Sequence, residues 1–268
     1  MTPTSTSASA SLSSNSTPNI SASDAVLHLS SATHIDAPSQ DVWNALIDTS
    51  TWPTWNTFVP RVTIREQPNS PDASPDSLSP ILQKGTRMTF HVHMNPSSTK
   101  PQKANDTQLA VIEFEPPNPS AKKPGRIVWA SDPNAKGGFP TSLLTAERVH
   151  EIVEVEVPGE DGQTRLGTDV RNWEAQVGYL VYIVRWMFGG RLKENFEIWT
   201  ADMQDLIKRL WNVEYVHQLF QIYHLLGYLD AVRLNDDAVE LRHKETVIFP
   251  ADVRVTEIDF REAGVMIP

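Results

Sequence analysis

The sequence predicts an α+β domain: a meander of antiparallel strands followed by one long helix. Residues 25–37, 61–67, 86–94, 108–115, 126–130, 145–157 and 164–175 have strand character, most of them alternating apolar and polar side chains as half-buried strands do. Their connections after residue 61 are short or polar rather than helical, which argues against a parallel α/β sheet. Leu180, Val184, Phe188, Leu192, Phe196, Trp199, Met203, Leu206 and Leu210 then recur three and four apart. They form one apolar stripe along a helix of roughly eight turns.

Residues 1–24 are rich in Ser, Thr and Ala and nearly free of large apolar side chains. Such a stretch cannot bury enough to offset its ordering entropy, so a disordered tail is expected. In the first strand Ala25, Leu27 and Leu29 share a face. Residues 42–60, VWNALIDTSTWPTWNTFVP, read as two short helices. Ser39 is the expected N-cap, Asp41 adds favourable charge to the first turn, and Pro53 suits the start of the second helix. Trp52, Trp55 and Phe58 lie three apart and are expected to share one face. This heavy aromatic load reads as a clasp closing one end of a hydrophobic cavity.

Residues 68–82 form a polar Pro/Ser insertion, expected to be mobile. In the next strand Met88, Phe90, Val92 and Met94 face one way, and Arg87, Thr89, His91 and His93 the other. PGEDGQ at 158–163 is a hairpin signal. Gly189 and Gly190 interrupt the helical stripe and read as a kink, a close packing point or the true helix start. Residues 211–268 form an extension of unassigned role, with an amphipathic helix at 215–229 and strand-like alternation at 245–260.

The net charge of −10 and the lack of a compact Lys/Arg cluster argue against nucleic-acid binding. The absence of cysteine excludes disulfides and thiolate chemistry. A basic n-region followed by an apolar run is missing at the start, and the first basic residue is Arg61. Residues 177–188 are apolar but too short and interrupted to span a bilayer. A cytoplasmic protein without a transmembrane segment is therefore expected.

The segment THIDAPSQDVWNALIDTSTWPTWNTFVPRV resembles the START-like (SRPBCC) superfamily. So do GTRM, EFEPP, RIVWAS and HEIVEV followed by GQTRLGTDVRNWEA, which point to its polyketide cyclase/dehydrase-like branch. The match spans about residues 25–210. The resemblance implies a helix-grip fold, in which a curved antiparallel sheet wraps around the last helix. It also implies an internal pocket for a lipid, sterol, polyketide or quinone-like molecule. Members share no single catalytic constellation, so no catalytic residue carries over.

The candidate ligand-binding residues are Trp52, Trp55, Phe58, Met88, Phe90, Val92, Phe114, Trp129, Trp173, Leu180, Val184, Met187 and Phe188. Each is either core or cavity wall, and an apolar pocket with a few polar groups is the usual form of a ligand site. His91 and His93 share a strand face, but it lies opposite the apolar one, so solvent rather than metal is expected there, and no cofactor is expected. His150, Glu113 and Glu174 are the general acid or base candidates if the protein is an enzyme; the competing reading is an outer face or a bond to a neighbouring arginine. The leading function is non-catalytic binding of a hydrophobic small molecule, as a carrier or sensor. A cyclase/dehydratase-type enzyme is the alternative. An interaction module using residues 211–229 is a third, with no partner identified; that helix offers no Lys or Arg to an anionic membrane over 215–229.

Overall fold

A computed structural model of the chain describes residues 15–68, 77–98, 100, 103–158 and 163–233, with side chains described as far as residue 211. The chain divides into two units, Met1–Val216 and His217–Pro268. The first is built from strands β1 (Leu27–Ile35), β2 (Arg61–Glu66), β3 (Arg87–Val92), β4 (Asn105–Glu115), β5 (Gly125–Ser131), β6 (Thr145–Pro158) and β7 (Thr164–Val177). Helix α1 (Ser39–Ile47) and a 3-10 turn (Trp52–Thr54) follow β1, and α2 (Tyr179–Arg233) follows β7. Of the second unit only the backbone of this helix, as far as Arg233, is described. The expected strand-like segment at 245–260 lies outside the described residues.

The strands form one curved antiparallel sheet in the order β1-β7-β6-β5-β4-β3-β2. Each strand from β2 to β7 pairs with its sequence neighbour, and β1 closes on β7. With α2 following the sheet, this is a helix-grip α+β fold. Gly178 makes the turn from β7 into α2 at φ +116°, where a Cβ would meet the carbonyl oxygen of Leu143. The same carbonyl accepts from Leu180 N at 2.9 Å and so anchors the start of α2.

The core joins both helices to the inner face of the sheet. Trp43, Trp52, Trp129, Trp199, Phe58 and Phe196 are all fully buried. Trp52 makes edge contacts with Trp55 and Phe90 at ring-centroid distances of 5.9 and 5.4 Å, and Trp55 meets Trp199 at 5.9 Å. The clasp is thus aromatic-on-aromatic, a geometry worth about 1 kcal/mol per pair beyond area burial. It is tied to α2 by Asp202, which accepts from Thr57 N and Oγ1 at 2.8 and 2.7 Å. Burial raises the Asp202 pKa, against the opposing effect of those two bonds.

Several local expectations change. The N-cap of α1 is Pro38, not Ser39. Ser39 sits one position later and donates from both N and Oγ to Glu154 of β6. A carboxylate from the sheet thereby stands at the positive end of the helix. The second short helix is only a 3-10 turn, because Trp55 already leaves helical geometry. Helical structure runs unbroken through Gly189 and Gly190, and neither is a close packing point. The buried stripe of α2 includes Val181 and Ile207, whereas Leu210 is half exposed.

Residues 69–76 of the expected mobile insertion lie outside the described residues. Its C-terminal end is fixed: Gln67 donates to the carbonyls of Ser79 and Ile81 and accepts from Ser79 N, and Leu82 is fully buried. Of the expected disordered tail, residues 1–14 lie outside the described residues, but 15–24 pack on the outer face of the sheet. Ser16 O accepts from the Trp173 indole, and Asn19 donates twice to Glu147, from N at 3.0 Å and from Nδ2 at 2.6 Å. Thr17 and Ile20 are buried there.

Candidate functional site

Between the inner face of the sheet and α2 lies a cavity of about 410 Å³. Its apolar wall includes Phe58 and Val59 from the clasp, Phe90, Val92 and Met94 from β3 and the residues after it, Leu109, Trp129 and Leu144, and Val184, Phe188 and Leu192 from α2. Strand alternation explains the set: the apolar face of β3 points inward, and α2 supplies side chains spaced four apart.

The wall also carries charge. On the inner face of β6 and β7 the paired residues are Ala146 with Gln176, Arg148 with Glu174, and His150 with Asn172. Arg148 and Glu174 line the cavity with Gln176. Arg148 Nε donates to Glu174 Oε2 at 2.7 Å, and Gln176 Nε2 donates to Glu174 Oε1. The Arg148 guanidinium lies 4.3 Å from the Phe196 ring centroid and 5.8 Å from that of Phe58. The cation is therefore held by one carboxylate and two aromatic faces.

One rung deeper the character changes. His150 is fully buried between Trp129 and Trp199, with ring centroids at 4.3 and 4.4 Å. Neither of its ring nitrogens, nor either amide atom of Asn172, has a hydrogen-bond partner among the described residues. Burial, aided by the positive charge of Arg148, pushes the His150 pKa well below its ordinary value. The imidazole is neutral and is not part of the cavity wall.

The remaining candidates separate clearly. Phe58, Phe90, Val92, Trp129, Val184 and Phe188 line the cavity. Trp52, Trp55 and Met88 are buried in the core without lining it. Phe114 packs on Trp43 at 5.2 Å, away from the cavity. Leu180 is partly buried and does not line the cavity, since Val181 takes the inward position beside Leu27, Leu29 and Phe196. Met187 projects outward at 57% exposure.

Trp173 lies on the opposite face of the sheet, with Val128, Val149 and Ile112. Strand parity turns it outward when Glu174 and Gln176 turn inward. Glu113 is likewise outside, paired with Arg126 at 3.0 Å, because the ladder shifts between Val111 and Glu113. His91 is largely buried on the outer face. Its two ring nitrogens meet Asp106 and Thr63, each at 2.8 Å, so both are engaged. Among the described residues no group of three His, Asp or Glu side chains is placed to hold a metal ion.

Sequence reasoning did not single out Arg148 or Gln176 as wall residues. The signal was present: Arg148, His150, Glu174 and Gln176 all fall on even positions of adjacent strands. It was masked by the Val149, Val153 and Val155 face of β6, which looks like the core side. Among the described residues no helix is long and apolar enough to cross a membrane.

No protein-family model matches the chain. Oxopyrrolidines biosynthesis cluster protein O from Penicillium oxalicum is 46% identical over 194 residues, which cover 72% of this chain and 92% of that protein. Among solved structures, a hypothetical protein from Helicobacter pylori is 14% identical with a TM-score of 0.47, over 67% of this chain and 86% of its own. A START superfamily protein from Mycobacterium smegmatis is 13% identical with a TM-score of 0.41, over 68% of this chain and 98% of its own.

Proposed function

The chain belongs to the family of oxopyrrolidines biosynthesis cluster protein O, and we propose that it binds a hydrophobic small molecule of a biosynthetic pathway inside its sheet–helix cavity. One observation carries this reading: a largely apolar cavity of about 410 Å³, walled by aromatic and aliphatic side chains, with Arg148, Glu174 and Gln176 on one side and a second polar set that includes Asp106, Gln108 and Asp132 on the other. The clasp closes the interior with Trp52, Trp55 and Phe58, which can shape a pocket but cannot move a proton. The acidic net charge and the lack of a compact Lys/Arg cluster speak for a small-molecule ligand rather than nucleic acid. The test is extraction of the purified protein followed by mass spectrometry, together with binding to a lipid, sterol and polyketide panel. If nothing apolar co-purifies and no panel member binds, the reading fails.

A second reading, a cyclase/dehydratase-type enzyme, is favoured by the Arg148–Glu174 pair in the wall and by the biosynthetic relative. In it Arg148 faces a developing oxyanion of the substrate and Glu174 holds the guanidinium in place. His150 and Glu113 do not line the cavity and have no part in that chemistry. Turnover of a bound polyketide-like compound by the wild-type chain, lost in Arg148→Met, supports this reading. Release of the compound unchanged supports the carrier.

A further inference from the structure

We propose that the Arg148–Glu174 pair selects a ligand whose polar end is a neutral carbonyl, in preference to a carboxylate. This rests on the cavity being a hydrophobic ligand site and names the chemistry of the end that meets its polar cluster. Both residues are more than nine-tenths buried and both line the cavity. Both Glu174 oxygens are engaged: Oε2 accepts from Arg148 and Oε1 from Gln176. Because a carboxylate only accepts, the Gln176 amide nitrogen must face it. Arg148 uses Nε on Glu174, while its two Nη groups have no acceptor among the described residues.

The aromatic faces of Phe196 and Phe58 fix the guanidinium beside the cavity. Fixed N–H donors against an apolar wall call for an oxygen acceptor. Charge decides which kind. Glu174 already balances Arg148, so a ligand carboxylate would bring a second negative charge to a buried site with one cation. A ketone, ester or amide oxygen brings none. The apolar body of the ligand then runs along Phe90, Trp129, Leu144 and Val184.

The test titrates the full chain with 2-undecanone and with decanoate at physiological salt, followed by calorimetry. The wild-type protein is expected to bind the ketone about tenfold more tightly than decanoate, because the carboxylate has to bring a desolvated second negative charge to the paired cation. The double substitution Arg148→Met with Glu174→Gln removes both charges together and leaves neither unpaired. It is expected to bind the ketone about tenfold more weakly than wild type. Should that variant not fold, Arg148→Lys, which keeps the charge but loses the planar fork, is expected to bind the ketone about tenfold more weakly while still disfavouring decanoate. Decanoate binding as tightly as the ketone, or ketone affinity unchanged in the variant, overturns the inference and leaves the proposed function standing. If neither probe binds and the lipid, sterol and polyketide panel also fails, the proposed function falls and takes this inference with it.

Discussion

Arg148–Glu174 and His150–Asn172 are neighbouring rungs on the same two strands, facing the same way. The first rung borders the cavity and holds a complete ion pair. The second lies behind Trp129 and Trp199, with four polar atoms lacking hydrogen-bond partners among the described residues. Strand alternation brings both inward, but packing assigns their roles. Where aromatic rings press from both sides, the histidine is forced neutral and becomes a space-filler. Where the interior opens, two charges survive by pairing, and one keeps donors available to a ligand.

Trp199 of α2 covers the inner rung by packing on His150, and removing it tests the contrast most severely. Trp199→Ala is expected to cost about 3–5 kcal/mol of stability in urea unfolding, from the large cavity it leaves. Breaking the outer rung comes next. Glu174→Ala leaves Arg148 buried without its carboxylate and is expected to cost roughly 3 kcal/mol, whereas Arg148→Met with Glu174→Gln stays within about 1 kcal/mol of wild type. In the cycle of Arg148→Met, Glu174→Gln and their combination, single losses that simply add up to the double loss would mean that the two charges are not coupled.

Deleting residues 1–24 strips the outer cover from Trp173 and Glu147 and is expected to cost about 2 kcal/mol through lost hydrogen bonds and burial. Ligand binding should be retained, because that cover lies on the opposite face from the cavity. The smallest effect belongs to the inner rung. His150→Phe is expected to change stability by no more than about 1 kcal/mol, in the stabilising direction, since it removes two unpaired ring nitrogens.

The pH dependence of stability separates the same rungs. His150 is neutral in the folded chain, with its pKa pushed below 6.5 by burial and by Arg148. The unfolded chain takes up that proton as pH falls through 6.5, while the folded chain does not. The stability His150 allows is therefore complete above pH 6.5 and declines below it. His150→Phe should remove this component of the acid slope in urea titrations.

Much of the fold was legible because its signals are local. The seven strands, the α2 stripe and the aromatic spacing of residues 52–58 depend on short-range periodicity and turn chemistry. Phe58, Phe90, Val92, Trp129, Val184 and Phe188 could be named as wall for the same reason. What was not legible is which face of β6 and β7 looks inward. Both faces are covered, one by α2 and the other by residues 15–24, so Val149 and Trp173 carry as strong an apolar signal as a true inner face. The covering segment binds through its backbone and Asn19, and nothing in a Ser/Thr-rich stretch announces that. The divergent fates of Leu180 and Val181 turn on the glycine turn that sets the phase of α2.

The irregular step between Val111 and Glu113 has a consequence for how this gene can change length. It places Phe114 against Trp43 and leaves Glu113 outside with Arg126. Losing the single codon for Ile112 would restore regular pairing and leave every later partner unchanged: Glu113 would still oppose Val128 on the outer face and Phe114 would still oppose Ile127 on the inner one. Only the outer-face packing of Ile112 against Val128, Val149 and Trp173 would be lost. Loss of one residue should therefore be tolerated at this point of β4, whereas the same change elsewhere in the strand would send a carboxylate or a phenyl ring to the wrong face.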